Sequence, residues 1–118
     1  MVEKRILFVD AEVDAREFLA LGLRGAGYTV DAVATAAEAN RRLDAQFYAL
    51  GIVDWRLPDG DGAELADRVL GLRAKTLIIS GDMFALPAEA ADRHETMMKP
   101  IKSFALVAAV QRMIRSPT

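Results

Sequence analysis

The chain has 118 residues, with 15 Lys and Arg against 17 Asp and Glu, a formal net charge of -2 and a pI near 5.4. That length is expected to form one domain over 1–118, with room for a real core and none for a second. The absence of cysteine excludes disulfides, thiol catalysis and cysteine-ligated zinc, and the mild acidity gives no basic field for a nucleic-acid backbone.

In chain order, Glu3-Lys4-Arg5 leads straight into an apolar run without a signal-peptide core. No later run approaches membrane-spanning length, so a cytoplasmic location is expected. Ile6 to Val9 is β-branched and aromatic without polar alternation, which predicts a strand buried on both faces and ending at Asp10. Asp14 with Glu17 reads as a capping box opening a helix with Ala15, Phe18, Leu19, Gly22 and Ala26 on its apolar face, and Gly27 is its stop. Tyr28 to Ala34 alternates as a second strand, and Thr35 with Glu38 caps a helix through about Ala45.

Leu50 to Val53 is a third strand, delivering Asp54 to its end. Asp61, Gly62 and Glu64 start a helix that closes near Gly71, and Thr76 to Ile79 is a fourth buried strand ending at Ser80. Asp82 to Leu86 reads as loop, Pro87 as the first residue of a short helix to about Arg93, and Thr96 to Met98 as a fifth strand stopped by Lys99-Pro100. Ser103 is the expected cap of a last helix carrying Phe104, Val107, Val110 and Ile114.

Five alternations with short links predict an α/β fold: a doubly wound, five-stranded parallel sheet with five helices. In such sheets the carboxyl ends of the strands open on one crevice. Asp10, Asp54, Ser80 and Lys99 all fall at those ends, and four together are harder to obtain by chance than any one as a turn residue. Two carboxylates with a backbone carbonyl suit Mg2+, which takes few protein oxygens and keeps several waters. Beside such an ion an aspartate can attack a phosphoryl group while an ammonium neutralises developing charge and a hydroxyl hydrogen-bonds the transferred group.

Four stretches, "ILFVDAE", "GIVDWRLPDGDG", "LIISGD" and "MMKP", resemble the response-regulator receiver domains of two-component signalling, the CheY-like family, over essentially the whole chain. The resemblance implies the flavodoxin-like strand order 2-1-3-4-5 and a phosphoprotein switch rather than an enzyme. It implies Asp54 as the acceptor of a phosphoryl group from a histidine kinase or phosphotransfer protein. Mg2+ would be held by Asp10, Asp54 and the carbonyl of Arg56, with Ser80 as switch hydroxyl and Lys99 as phosphate-contacting cation. It further implies a downstream protein target, no direct nucleic-acid or membrane partner, and a monomer or weak dimer through the face of helix 4, strand 5 and helix 5.

Two departures bear on that reading. Asp10 is followed by Ala11 where the family has a second acid, which weakens Mg2+ binding; Glu12, one residue on and one methylene longer, is either a replacement ligand or a charge at the helix start. Thr96 stands where the family commonly has an aromatic that turns inward on activation. Arg56 and Asp82, two residues beyond Asp54 and Ser80, overlook the site and either modulate access to it or form an ion pair at its mouth. Trp55 reads as a packing residue, Met97 and Met98 as strand and core filling, and His94, lacking metal-ligand spacing, as a surface residue. A stripe of Leu106, Val110 and Met113 reads mostly as core. The rival readings are a degenerate receiver that binds a partner without phosphorylation and, further off, a haloacid-dehalogenase-type phosphohydrolase, whose D-x-D signature "DAEV" matches poorly.

Overall fold

The computed structural model describes residues 4–114. Five strands, β1 (Arg5–Val9), β2 (Thr29–Val33), β3 (Leu50–Asp54), β4 (Lys75–Ser80) and β5 (Glu95–Met98), pair in parallel in the spatial order β2-β1-β3-β4-β5. Helices α1 (Val13–Gly25), α2 (Ala36–Ala45), α3 (Gly62–Gly71), α4 (Ala88–Arg93) and α5 (Ser103–Met113) fill the connections. This is the expected doubly wound sheet, with strand order reversing between β1 and β3.

The continuous apolar runs have a direct cause: a strand covered by helices on both faces buries every side chain, and successive side chains point to opposite sides. Ile6, Phe8, Ile52, Leu77 and Ile79 face α1 and α5, meeting Leu19, Leu23, Leu106 and Val110. Leu7, Val9 and Val53 face α2 and α3, meeting Ala39, Leu43, Leu65 and Val69, while Ile78 packs with Ala63, Ala66, Leu86 and Ala90 beneath α4. Each such side chain contributes roughly 1.5–3 kcal/mol on burial, so the central strands dominate the stability of the fold.

Caps read from short spacing were right where the hydrogen bond is local. Thr35 Oγ1 accepts from Glu38 N at 3.1 Å and Asp61 Oδ1 from Ala63 N at 2.8 Å. Gly27, at φ +102°, stops α1. The Asp14 box does not form: α1 starts at Val13 with Glu12 as N-cap and no side-chain cap bond, because Arg16 N already donates to Glu12 O at 2.9 Å and Asp14 lies inside the helix; Asp10 Oδ1 takes the Glu12 N–H at 3.0 Å. Ser103 likewise is the first helical residue of α5, with Lys102 in the capping position, and Pro87 sits one residue outside α4, as its N-cap.

The α1 face is also rotated from expectation. Leu19, Ala20 and Leu23 are buried, whereas Phe18 is 62% exposed, as is Phe104 of α5 at 73%. A 3.6-residue period allows neighbouring stripes, and the close approach of α1 to α5 chooses between them: a Cβ on Gly22 would stand 2.0 Å from Ser103 Oγ. In the Leu106, Val110 and Met113 stripe, the first two are fully buried in the core. Met97 packs partly into the core, but Met98 is an exposed residue of β5.

His94 is the largest correction, being buried rather than on the surface, with Nδ1 2.5 Å from Thr76 Oγ1 and Nε2 2.6 Å from Asp67 Oδ1. Its partners lie 18 and 27 residues away, beyond the reach of local pattern.

A feature absent from the sequence reading is the short antiparallel pair Arg56–Leu57 with Gly60–Asp61, which folds the loop after β3 back so that Gly62 N donates to Trp55 O at 2.9 Å. A Cβ on Gly62 would fall 2.1 Å from Asp54 O and 2.7 Å from Trp55 Cα. These are backbone atoms that cannot rotate away. Gly62→Ala is therefore expected to destabilise the fold by about 3 kcal/mol or more in urea unfolding. Gly25→Ala, where a Cβ meets nothing within 4 Å, is expected to be neutral or to stabilise by roughly 0.5 kcal/mol.

Candidate functional site

The carboxyl ends of β1, β3 and β5 deliver the site. Val9 and Val53 are register partners on adjacent strands, so Asp10 and Asp54, each the next residue, emerge side by side. Asp10 N continues the ladder to Val33 O at 3.0 Å, and Arg16 Nη1 donates to Asp10 O at 2.8 Å, pinning its backbone from α1. Lys99 N donates to Ser80 O at 2.8 Å, extending β5 by a residue before the cis Lys99-Pro100 bond.

The lysine stem reaches across the end of β4 to the acids. Nζ is 2.7 Å from Asp54 Oδ2, 3.3 Å from Asp10 Oδ1 and 3.2 Å from Asp10 Oδ2. Glu12 Oε1 stands 3.8 Å from the same nitrogen, on an otherwise exposed side chain. The other oxygen of Asp54 accepts from Arg56 N at 3.2 Å. Asp10, Asp54 and Lys99 are thus brought together as expected, with Glu12 at their edge.

Burial pushes the Asp54 carboxyl up from its ordinary range; the Lys99 ammonium and the Arg56 N–H oppose this without cancelling it, and the neighbouring Asp10 adds to it. Lys99 is depressed by its own burial, but the hydrogen bond and charge of Asp54, then those of Asp10, more than offset that and leave it raised. The two directions describe a pair in which Lys99 stays an ammonium and Asp54 is the easier member to discharge.

Metal fit can be judged from the acids themselves. Asp10 Oδ2 is buried and accepts no hydrogen bond, with Lys99 Nζ 3.2 Å away as its ion-pair partner. A buried carboxylate oxygen that accepts no hydrogen bond has coordination capacity left for a second cation. Among the described residues no three acidic or imidazole groups converge closely enough to form a protein-only cage. The two neighbouring carboxylates suit Mg2+, which binds through one or two carboxylates and retains waters.

The remaining candidates surround this group differently from expectation. The Ser80 hydroxyl donates to Asp82 O at 3.0 Å and accepts from Asp82 N at 3.1 Å, so it is engaged with its own loop. The Asp82 carboxylate accepts from Phe84 N and Ala85 N at 3.1 and 3.3 Å, tightening that turn. The guanidinium of Arg56 lies 4.9 Å above the Trp55 ring, and the Arg56 to Asp82 ion pair does not form. Trp55 packs against the cluster of Ala63, Ile78 and Leu86, as expected of a packing residue. Thr96 is partly buried opposite Ile78.

Sequence reasoning missed two supports. One is Arg16. The other is Asp59, whose oxygens accept from Ala36 N and Ala37 N at 2.8 and 2.9 Å, tying the loop after β3 to the start of α2. Those two N–H groups hold Asp59 below the usual carboxylate range. Its place in "LPDGDG" carries no local sign of a partner 23 residues back.

A doubly wound parallel sheet presenting paired acids and a lysine at its carboxyl edge is the architecture of a signalling receiver. The chain belongs to the response regulator receiver domain family, whose sequence model matches residues 6–111. It is 32% identical to the response regulator receiver protein CpdR of Brucella abortus over 94% of this chain and 97% of that one. It is also 30% identical to DctD, the C4-dicarboxylate transport transcriptional regulatory protein of Rhizobium meliloti, over 91% of this chain but only 24% of that protein. Among solved structures, a CheY-like receiver domain from Methanospirillum hungatei superposes with a TM-score of 0.83 at 27% identity, covering 94% of this chain and 93% of that one. The response regulator TrrA of Thermotoga maritima, in complex with Mg2+ and BeF, superposes with 0.84 at 26% identity, covering 94% and 99%.

The raised Asp54 has a sign that can be checked. A folded-state value above the unfolded one means the native protein binds the proton more tightly. Stability is therefore lost as pH rises from the ordinary aspartate range through the raised value. Asp54→Asn removes that loss and the repulsion with Asp10. The variant is expected to melt higher than the native chain at pH 7, with the difference vanishing at low pH, in melts recorded across the acid range.

Proposed function

We propose that this receiver is a phosphoacceptor switch in which Asp54 takes a phosphoryl group from a phosphohistidine of a histidine kinase or phosphotransfer protein. The observation that carries the reading is the Asp54 carboxylate held 2.7 Å from the Lys99 ammonium beside the buried Asp10 carboxylate, whose Oδ2 accepts no hydrogen bond. One Asp54 oxygen attacks phosphorus, the P–N bond breaks, its electron pair returns to the donor imidazole, and an acyl phosphate forms on Asp54. Lys99 neutralises the oxygens of the transferred group, and the Arg56 N–H keeps the carboxylate oriented. Mg2+, held by Asp10, Asp54, the Arg56 carbonyl and waters, supplies further charge neutralisation when bound.

Glu12 is the proposed substitute for the acid missing at Ala11, supported by its approach to within 3.8 Å of Lys99 Nζ. Ser80 changes partner on phosphorylation, exchanging the Asp82 carbonyl for a phosphoryl oxygen. That exchange loosens the turn carrying the fully exposed Phe84 and alters the face of α4, β5 and α5, where Met98 is also exposed, for a downstream protein or a second copy. With Thr96 in place of an aromatic, the change on β5 is a small repacking. Arg56 and Asp82 set water access from the rim.

The test is intact mass after incubation with acetyl phosphate, with and without Mg2+. The native chain is expected to gain one phosphoryl group only with Mg2+, and Asp54→Ala none. Glu12→Gln is expected to raise the Mg2+ concentration for half-maximal labelling several-fold, as loss of one charged oxygen ligand does, with full labelling recovered at high Mg2+. Labelling should slow as pH falls through the raised Asp54 value, since only the carboxylate is a nucleophile. A second reading, a receiver that binds its partner without phosphorylation, is favoured by Ala11 and the lack of a three-acid cluster among the described residues. It is the conclusion if no adduct forms under any condition while small-molecule Mg2+ binding is also absent.

A further inference from the structure

Helix α4 is six residues long and buries only Ala90. An alanine covers little apolar surface, so this helix is held mainly at its ends. At its start Leu86 is buried, with Met83 packed nearby. At its end Arg93 and His94 meet a carboxylate from α3: Arg93 Nε and Nη2 donate to Asp67 Oδ1 and Oδ2 at 3.1 and 2.8 Å, and His94 Nε2 is 2.6 Å from Oδ1. Behind the imidazole, Nδ1 is 2.5 Å from Thr76 Oγ1, inside β4.

The chemistry of this set fixes the proton. Asp67 is acceptor only, held ionised below the usual range by His94 and then Arg93, so Nε2 must carry hydrogen and donate. Nδ1 pairs with the Thr76 hydroxyl, which can either donate to it or accept from it. Each polar group of the buried imidazole is satisfied, and three elements are joined: β4, α3 and the α4–β5 junction. The imidazole side chain is wholly inaccessible, so this hydroxyl, imidazole and carboxylate are no catalytic triad. Thr76 and Ser80 project to the same face of β4, and His94, by register opposite Thr76, projects to the same face as Thr96 on β5.

We infer that Asp67, Thr76, Arg93 and His94 form a clamp that pins the α4–β5 junction to α3 and β4 and so sets the resting position of the output face. This rests on the proposed switch for its consequence: rearrangement of α4 on phosphorylation turns about a fixed C-terminal end, with movement concentrated in the Gly81 to Leu86 loop. His94 is a positioning residue in this device, acting through α4 and touching no reacting atom.

The test needs no phosphorylation, so failure of the clamp and failure of the switch are distinguishable. Backbone amide hydrogen exchange would be followed in the unphosphorylated full chain and in His94→Leu, His94→Gln, Thr76→Val and Asp67→Ala, the last at a partly exposed position that keeps the fold. In the Leu, Val and Ala variants the amides of Ala90 to Glu95 are expected to exchange about tenfold faster or more, while those of β1 and β3 are unchanged. His94→Gln, whose amide can donate to Asp67 and accept from Thr76, is expected to restore much of the protection. In the native chain, imidazole nitrogen shifts should report hydrogen on Nε2. Unchanged exchange in Asp67→Ala, a uniform increase over the whole sheet, or equal exchange in the Leu and Gln variants would overturn the clamp.

Discussion

The contact on which this structure turns is one ammonium shared between two buried carboxylates. Parallel strands lie about 4.8 Å apart, so register alone forces the residues after Val9 and Val53 into proximity. Two aspartates so placed, one fully buried, repel each other with little water to screen them. Lys99 comes from β5, with β4 lying between it and β3, and only a long unbranched side chain can cross that gap. The strand it crosses ends in Ser80, small enough to leave the path open.

Such an arrangement is a poor way to stabilise a protein. Buried charge is expensive to desolvate, and pairing seldom returns more than it costs. The cost is carried by the apolar sheet beneath: Ile6 to Val9, Leu50 to Val53 and Leu77 to Ile79 are buried on both faces, which makes the platform rigid enough to hold like charges together. The loop after β3 is equally constrained. Gly62 lets α3 start against the backbone of Asp54, Asp61 caps that helix, and Asp59 reaches back to α2. The residues around Asp54 are thus held by backbone and caps, whereas α4 is lightly held.

That contrast links packing to signalling. Under the proposed switch, a change at Asp54 is answered most easily where least apolar surface is buried. Here α4 is short and buries one alanine; apolar packing of Leu86 holds its start, and Arg93 and His94 tie its end to Asp67. The Ser80 hydroxyl, bonded to both backbone groups of Asp82, holds the other end of the same segment.

What could be read directly from the sequence was whatever depends on neighbours within a few residues. Continuous apolar runs demand strands covered on both sides, alternation with helices demands a parallel sheet, and such a sheet collects its strand ends; hence Asp10, Asp54 and Lys99 could be grouped before any coordinates. Thr35 and Asp61 could be identified as caps because the bonds they make span two or three residues. Asp14 and Ser103 could not be dismissed, because which residue begins a helix depends on how the preceding strand hands over the chain, and Asp10 had already claimed the Glu12 N–H. Phe18 and Phe104 were misplaced because helical period defines a stripe without saying which stripe faces the sheet. Partners far apart in sequence were decided by tertiary structure alone: the burial of His94 between Thr76 and Asp67, the bond from Asp59 to α2, the turning of Ser80 towards Asp82 and of Arg56 onto Trp55. A hydrogen bond needs its two atoms within about 3 Å, and only the folded chain brings such atoms together.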